Sequence, residues 1–471
     1  MGNNQENILK ELKQIVGDES VITDLQTLKE NSVDWIGYSR YEQYYEDYVE
    51  EKPMGVVKVH STQEVSEVIS LLNKKNVNIV PVTGKSCVTG GIITSEGGLV
   101  LDGSLMNEIV SFDTENFLVT AKCGTPLEYL EGYCNLRGYT TGHFPQSLPL
   151  AHLGGLVATR SCGQLSTLYG GIEDLLVGLE AVMPNGEIVR IKNVPRRATG
   201  PDLRHIFLGS EGALAYITEV TLKLFKLPAD KWQCAYGVKN MDIGLEVIRE
   251  IMQQGWKPSV VRLHDEVEAE LTYQQFMEEG ESLLILVAHG PEGMARLTGN
   301  AIETICENYD CRKIGSKLVD VWFEHRNDVA YNKFRHQEKG EVGESIEVSA
   351  NWSDIGKIYK SVAARGIEEI DGVTQCSAHS SHSYVQGTNM YFVIRYKGSE
   401  DYRKIFDKCY DIVMGETLKH GGSIGHHHGV GKYRTKWMEQ EHESSYVILE
   451  KMKEALDPKG IMNQATLLPK E

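Results

Sequence analysis

The sequence predicts an α+β protein in two domains, and three observations carry that expectation. The chain has 471 residues, too many for one simple core. Its first half alternates strand-like and helix-like periods between many glycines. From about Leu227 glycine density falls, and longer amphipathic helices and apolar strands take over, which marks a domain boundary.

Each element follows from local pattern. Ile8, Leu12 and Ile15 stand at helical spacing within residues 5–16, so an amphipathic helix opens the chain. Glu51-Lys52-Pro53 breaks the chain before the strand-like Gly55-Val56-Val57-Lys58-Val59. Ser61-Thr62-Gln63-Glu64 reads as a capping box, and the helix it opens carries Val65, Val68, Ile69 and Leu72 on one face. Asn78 to Val82 returns as a strand and runs into the loop Thr83-Gly84-Lys85-Ser86-Cys87-Val88-Thr89-Gly90-Gly91. A β-α-β unit ending in such a turn often receives phosphate, although an ordinary strand-to-strand turn is the plainer reading of this segment by itself. A Walker A motif fails because its first glycine falls at Ile79, and the G-x-G-x-x-G fingerprint fails because Thr83 to Val88 offers only Gly84.

Residues 142–163 have little periodicity and many small side chains, which lets backbone approach a large planar ligand. Val177 to Met183, the turn Pro184-Asn185-Gly186, and Glu187 to Arg190 form a hairpin signal. Gly209-Ser210-Glu211-Gly212 precedes a strand over Ala213 to Leu222. Residues 240–320 hold a helix with Leu245, Val247, Ile248, Ile251 and Met252 on one face, and a strand over Ser282 to Val287. A last amphipathic helix with Val447, Leu449, Met452 and Leu456 stops at Asp457-Pro458-Lys459-Gly460.

Two short segments concentrate chemistry. Gly425-His426-His427-His428-Gly429-Val430-Gly431-Lys432 places three imidazoles between glycines, a poor packing choice and a good way to hold proton-transfer groups close to a ligand. His379-Ser380-Ser381-His382-Ser383-Tyr384 adds two imidazoles and a phenol. The formal net charge of −18 argues against a nucleic-acid partner but not against a small anionic substrate gripped by local cations. Nine scattered cysteines without C-x-x-C spacing fit a reducing compartment. With no signal-peptide pattern after Met1, no eighteen-residue apolar window and no peroxisomal tripeptide at Leu468-Pro469-Lys470-Glu471, the expectation is a cytoplasmic protein with no integral membrane contact. A homodimeric state and an external redox partner as electron acceptor stay open.

Taken together, the Gly loop, GGLVATRSCG, PNGEIV, GSEGALAYITEV and LDPKGIMNQATLL resemble the vanillyl-alcohol oxidase, or PCMH-type, FAD-binding flavoproteins over about residues 50–468. TRSCG with YGGIEDLL, PRRATGPDLRHIFLGSEG, SHSYVQGTNMYF and HHHGVGKYR look most like the alkyldihydroxyacetonephosphate synthase branch and its bacterial relatives. After the N-terminal helical segment over 1–50 that the periodicity predicts, the resemblance implies a PCMH-type FAD-binding domain over 51–227, an α+β cap over 228–430, and a segment over 431–471 that returns to the FAD domain. It implies that Pro81, Thr83, Gly84, Lys85, Ser86, Cys87 and Val88 cradle the FAD pyrophosphate. Pro145, Gln146, Ser147, Gly154, Gly155, Thr159 and Gly163 would line the dinucleotide and flavin, and Glu211, Gly212 and Ile217 the AMP half. Tyr384, His426, His427 and His428 match the family's active-site tyrosine and histidine segment, and Arg335 approximately matches an arginine facing the substrate.

The chain also departs from the family. TGKSCV replaces a glycine-richer run, so Lys85 either meets the phosphates or points to solvent. No histidine lies between His60 and His143, so FAD is expected to be non-covalent. Two chemistries fit the resemblance. The favoured one is oxidation of a C–OH centre in a small hydroxy-acid-like substrate, with hydride going to the flavin and His and Tyr handling protons. The alternative is a non-redox alkylglycerone-phosphate synthase-like exchange of an acyl for an alkyl group. A metal held by His379, His382 and the histidine run is a lesser expectation.

Overall fold

The computed structural model describes residues 3–95, 97–331, 339–368, 370–397 and 402–469. Among the described residues three larger sheets organise the fold, beside a two-stranded pair of Tyr139–Thr140 with Phe225–Lys226. A four-stranded sheet orders Val21–Ile22, Gly55–Lys58, Leu99–Asp102 and Ile79–Val82, the last three strands running parallel. A five-stranded antiparallel sheet orders Ile109–Asp113, Leu118–Lys122, Tyr216–Lys223, Leu176–Val182 and Ile188–Ile191. A seven-stranded antiparallel sheet orders Arg312–Gly315, Asp230–Val238, Ser282–Gly290, Val260–His264, Val373–Ser380, Gly387–Lys397 and Glu341–Asn351. The expected α+β class is what the chain forms.

Local rules explain the first elements and their deviations. The opening helix, Asn3–Val16, buries Ile8, Leu9 and Leu12 against the helix Thr62–Lys75, whose Val65, Val68, Ile69 and Leu72 face the same cluster. Ser61 Oγ accepts the Glu64 amide at 3.2 Å, while the Glu64 carboxylate accepts the amide of His60 rather than of Ser61, one residue further back than a strict capping box. The expected hairpin forms with Gly186 at φ 89°, and the Met183 amide donates to the Glu187 carbonyl. The strand expected from Ala213 begins only at Tyr216. Glu211 and Gly212 both hold positive φ, and the Ala213 amide folds back onto the Ser210 carbonyl, so three residues are spent on a turn. The last helix, Tyr446–Leu456, fully buries no residue and leaves Ile448 66% exposed.

Period-two alternation divides the seven-stranded sheet into an apolar face and a polar one. Val261 and Leu263, Cys376 and Ala378, Met390, Phe392 and Ile394, and Val342, Ile346 and Val348 join one core with the helices Met241–Gln253, Met294–Asn308, Trp352–Glu368 and Tyr402–Lys419. Their alternates, Arg262, His264, His379, Tyr391 and Glu347, therefore belong to the opposite face. That face carries the chemistry described below.

The segment around Asp34 ties the two halves together by bonding to both. The Asp34 carboxylate accepts the Gly90 amide at 2.6 Å, the Trp35 amide donates to the Cys87 carbonyl at 2.8 Å, and Glu344 on the edge strand accepts the amides of Gly37 and Tyr38. At the C-terminus, the Ile79 amide donates to Ile461, and the Asn463 amide donates back to Ile79. Between them, Gly431 sits at φ +53° with the Thr89 carbonyl oxygen 1.9 Å from where a Cβ would be. Gly431→Ala is therefore expected to cost about 3 kcal/mol, from left-handed strain plus displaced backbone. Gly460→Ala, with φ +60° and open space around it, should cost only about 1 kcal/mol. Chemical denaturation of the two variants checks the contrast.

Candidate functional site

One cavity is lined from both halves of the chain. Of the residues expected to hold a cofactor, Pro81, Thr83 to Val88, Pro145, Gln146, Ser147, Gly154, Gly155, Thr159, Glu211, Gly212 and Ile217 all line it. Gly163 does not: a Cβ there would meet the Phe144 amide nitrogen at 2.6 Å, so its role is close packing of two loops. Gly84 also serves packing, because its missing Cβ would lie 2.4 Å from the Leu150 carbonyl oxygen. A bulky residue at Gly84 would separate those loops before it met any ligand. Lys85 does not point to solvent. Its ammonium donates to Asn31 Oδ1 at 2.5 Å and lies 3.8 Å from the Asp102 carboxylate.

The loop fits a dinucleotide phosphate. Among the described residues, no backbone amide from Gly84 to Val88 donates to a backbone carbonyl. Buried polar atoms facing the same wall, Thr83 Oγ1 and His152 Nδ1, also lack a protein partner. Orphaned donors around a cavity are costly unless a ligand satisfies them. Such a set of unpartnered donors suits an anion, and FAD's pyrophosphate fits it.

Two buried carboxylates clamp the histidine loop. Glu211 accepts the amides of Val430 and Gly431 at 2.6 and 2.8 Å, and burial pushes its carboxyl up to about 7. A Cβ on Gly429 would strike Glu211 at 2.6 Å, so the flanking glycines let the loop close over that carboxylate. Glu347, fully buried, accepts the amides of His426 and His428 at 2.5 and 2.8 Å and pairs with the equally buried Arg434 at 3.1 Å. Burial alone would raise the Glu347 carboxyl. The Arg434 guanidinium, the adjacent histidines and the His428 amide outweigh it and hold it at about 2.

With its backbone fixed, the loop feeds a hydrogen-bonded relay. Tyr391 Oη lies 2.8 Å from His427 Nε2, His427 Nδ1 lies 2.7 Å from His426 Nδ1, and His426 Nε2 lies 2.6 Å from Tyr384 Oη. Tyr391, His427, His428 and His382 line the cavity, whereas His426 and Tyr384 stand behind the wall, and Tyr384 is 38% exposed. His382 joins from the side, with Nδ1 at 2.8 Å from Ser166 Oγ and Nε2 at 3.4 Å from Tyr391 Oη. Burial lowers the imidazoles of His426 and His428 to about 4 and, together with the neighbouring histidines, holds that of His427 well below its ordinary value, so all three are neutral near pH 7 and their roles as donors and acceptors are set by the chain.

Sequence reading missed Arg262 and Tyr391. Arg262, only 9% exposed, lies on the cavity wall and donates through Nε to His264 Nε2 at 2.9 Å. Each sits inside an apolar strand pattern, where one polar residue in the alternation was the only signal. Arg335, expected to face the substrate, lies outside the described residues. His379 and His382 do not converge on one centre: His379 groups with His264 and Glu268, and His382 with Cys162 and His426.

The pH dependence of the clamp follows from its sign. Glu347 is depressed in the folded state, so the unfolded chain takes up the proton first, and the stabilisation is lost as pH falls from about 4.5 toward about 2. Its full extent is on the order of 3 kcal/mol. Glu347→Gln should remove that acid slope and lower stability at neutral pH, because Arg434 is left buried without its counter-ion. Thermal midpoints of both proteins across this pH range check it.

Comparison with known proteins agrees with the cavity. A family model described as FAD binding domain matches residues 53–192, and one described as FAD linked oxidases, C-terminal domain, matches residues 227–467. The chain is 46% identical to the "Uncharacterized FAD-linked oxidoreductase YgcU" of Escherichia coli K12, over 98% of each chain. It is 29% identical to the alkyldihydroxyacetonephosphate synthase of Caenorhabditis elegans, over 88% of this chain and 75% of that one. It is 27% identical to the mitochondrial D-lactate dehydrogenase (cytochrome) of Arabidopsis thaliana, over 88% of this chain and 74% of that one. Among solved structures, an alkyldihydroxyacetonephosphate synthase superposes with a TM-score of 0.82 at 23% identity, covering 98% of this chain and 86% of that one. p-Cresol methylhydroxylase superposes at 0.80 and 15% identity, covering 100% and 98%. The two-domain architecture is thus the PCMH-type fold, and the chain belongs to the FAD-linked oxidoreductases, with FAD as its cofactor.

Proposed function

We propose that the protein oxidises the C–OH centre of a small anionic hydroxy acid, with Arg262 holding the anion and the Tyr391–His427 pair receiving the hydroxyl proton. The observation that carries this reading is Arg262 itself. A buried guanidinium on a ligand-facing wall, with its Nε spent on a neutral imidazole, is expensive unless an anion completes it. Its two Nη groups can grip a carboxylate in a bidentate manner, which a lysine cannot reproduce.

FAD supplies the acceptor for the hydride. The chain's own groups manage the proton. Tyr391 Oη passes it to neutral His427 Nε2, His427 Nδ1–H hands on to His426 Nδ1, and His426 Nε2–H hands on to Tyr384, whose exposure opens the relay to solvent. Tautomers along this path follow from the order of donors and acceptors. Relatives named as a D-lactate dehydrogenase support a 2-hydroxy acid as the substrate class.

The relationship to alkyldihydroxyacetonephosphate synthases favours a second reading, in which the same base and anion-holding arginine serve an acyl-for-alkyl exchange without net oxidation. Anaerobic mixing separates the two. Bleaching of the flavin by D-lactate or another short 2-hydroxy acid supports the oxidoreductase, while product exchange from an acyl-dihydroxyacetone phosphate without bleaching supports the synthase-like reaction. Tyr391→Phe and His427→Ala should keep FAD bound and slow flavin reduction by roughly two orders of magnitude or more. Arg262→Lys should chiefly raise KM. Acid precipitation should release all the FAD into the supernatant; flavin left in the pellet would refute non-covalent attachment.

A further inference from the structure

We infer that Glu268 is a positioning residue that sets Arg262 and Tyr391 through two buried imidazoles, those of His264 and His379. The inference rests on the reading of Arg262 as the anion-holding group.

The three elements that meet here are held by their own hydrogen bonds. Asp265 caps the helix Glu266–Tyr273 by accepting the Glu268 amide at 2.9 Å, and its other oxygen accepts the Ala378 amide at 2.6 Å. That pins the first turn of the helix, and so Glu268, between the strands Val260–His264 and Val373–Ser380. The carboxylate then accepts a hydrogen bond from His379 Nδ1 at 2.8 Å and lies 3.4 Å from His264 Nδ1, a charge contact without hydrogen-bond geometry. His379 stacks on the Tyr391 ring at 4.4 Å between centroids, with 27° between planes.

Donor chemistry decides how these groups work. Arg262 Nε is a donor without exception, so His264 Nε2 must accept, and the single proton of that neutral ring sits on Nδ1, facing Glu268. Burial raises the Glu268 carboxyl and its contacts with the two histidines outweigh that, so it accepts, and His379 must present Nδ1–H to it. Glu268 thus fixes the tautomer of His379 by a hydrogen bond, and it favours the Nδ1–H form of His264, which the Arg262 donor requires, by charge at 3.4 Å. By drawing the His264 proton to Nδ1 it leaves Nε2 as an acceptor for Arg262, and through its hydrogen bond to His379 it fixes the plane on which Tyr391 rests. Without it, His264 can place its proton on Nε2, where it opposes the Arg262 N–H and turns the guanidinium away.

The same three ligand atoms lie close enough to cage a metal ion. A metal on His264 Nδ1 would force the proton onto Nε2, against Arg262. The hydrogen bond between Arg262 and His264 favours positioning over coordination.

The test uses the FAD-loaded full chain. 15N-histidine-labelled protein reports tautomers, with His264 and His379 signals assigned by their loss in His264→Asn and His379→Asn. Both rings should be Nδ1–H in the wild type, and Glu268→Gln should shift His264 toward Nε2–H. Oxalate, followed by its perturbation of flavin absorbance, should bind roughly ten- to hundredfold more weakly to Glu268→Gln, the scale of a lost charge-assisted contact. Glu268→Asp should recover part of that affinity. An Nε2–H tautomer at His264 in the wild type overturns the proposal, and needs no variant to fold. So does unchanged oxalate affinity in Glu268→Gln, or a stoichiometric metal in the purified protein that Glu268→Gln loses. If Arg262→Lys leaves oxalate affinity unchanged, the substrate reading fails at Arg262, and the tautomers alone decide the role of Glu268.

Discussion

The Glu347 carboxylate, buried on the polar face of the seven-stranded sheet, gathers the backbone of three consecutive histidines and the guanidinium of Arg434 around one anion. Three neighbouring imidazoles cannot be stored in an apolar core, and a free loop would not present them in one arrangement. The carboxylate resolves both difficulties. Its charge is balanced by Arg434, its lone pairs are filled by main-chain amides, and the loop then has one conformation in which side chains, not backbone, face the ligand. Glu211 repeats the device from the other half of the chain by taking the amides of Val430 and Gly431. The histidine loop is therefore a bridge between halves.

Everything at the site follows from sheet alternation combined with that bridge. Five polar residues on four neighbouring strands share one face, and the opposite face supplies the packing. The sheet acts as a rigid board on which Arg262, Tyr391, His379 and Glu347 have spacings set by strand register rather than by flexible loops. The loop residues expected to cradle a cofactor come from the other half, and the segment around Asp34 and Trp35 seals the seam by hydrogen-bonding to the cradle itself.

The low pKa values of the histidines bear on chemistry as well as on stability. Neutral imidazoles cannot hold a substrate anion by charge, so that task falls to Arg262, while the histidines are free to pass a proton along without storing it. Anion recognition and proton movement are thereby assigned to different residues on adjacent strands.

The sequence by itself determined the α+β class, the capped helix after Ser61 and the hairpin at Asn185-Gly186, because each depends on period, caps or turns within a dozen residues, while the segments that line the cavity were legible only through the family resemblance of their motifs. It also singled out the histidine run. It did not reveal Arg262, Tyr391 or Glu268, since a lone polar residue in an apolar strand or on a short helix has the same local signature whether it faces solvent, a partner or a ligand. Nor could it say that Gly84 and Gly163 serve loop packing, that Lys85 pairs with Asn31 and Asp102, or that Tyr384 and His426 stand behind the wall instead of on it. Those outcomes depend on contacts between residues tens to hundreds of positions apart. Only the closed tertiary structure, with strand register and buried charge settled together, decides them.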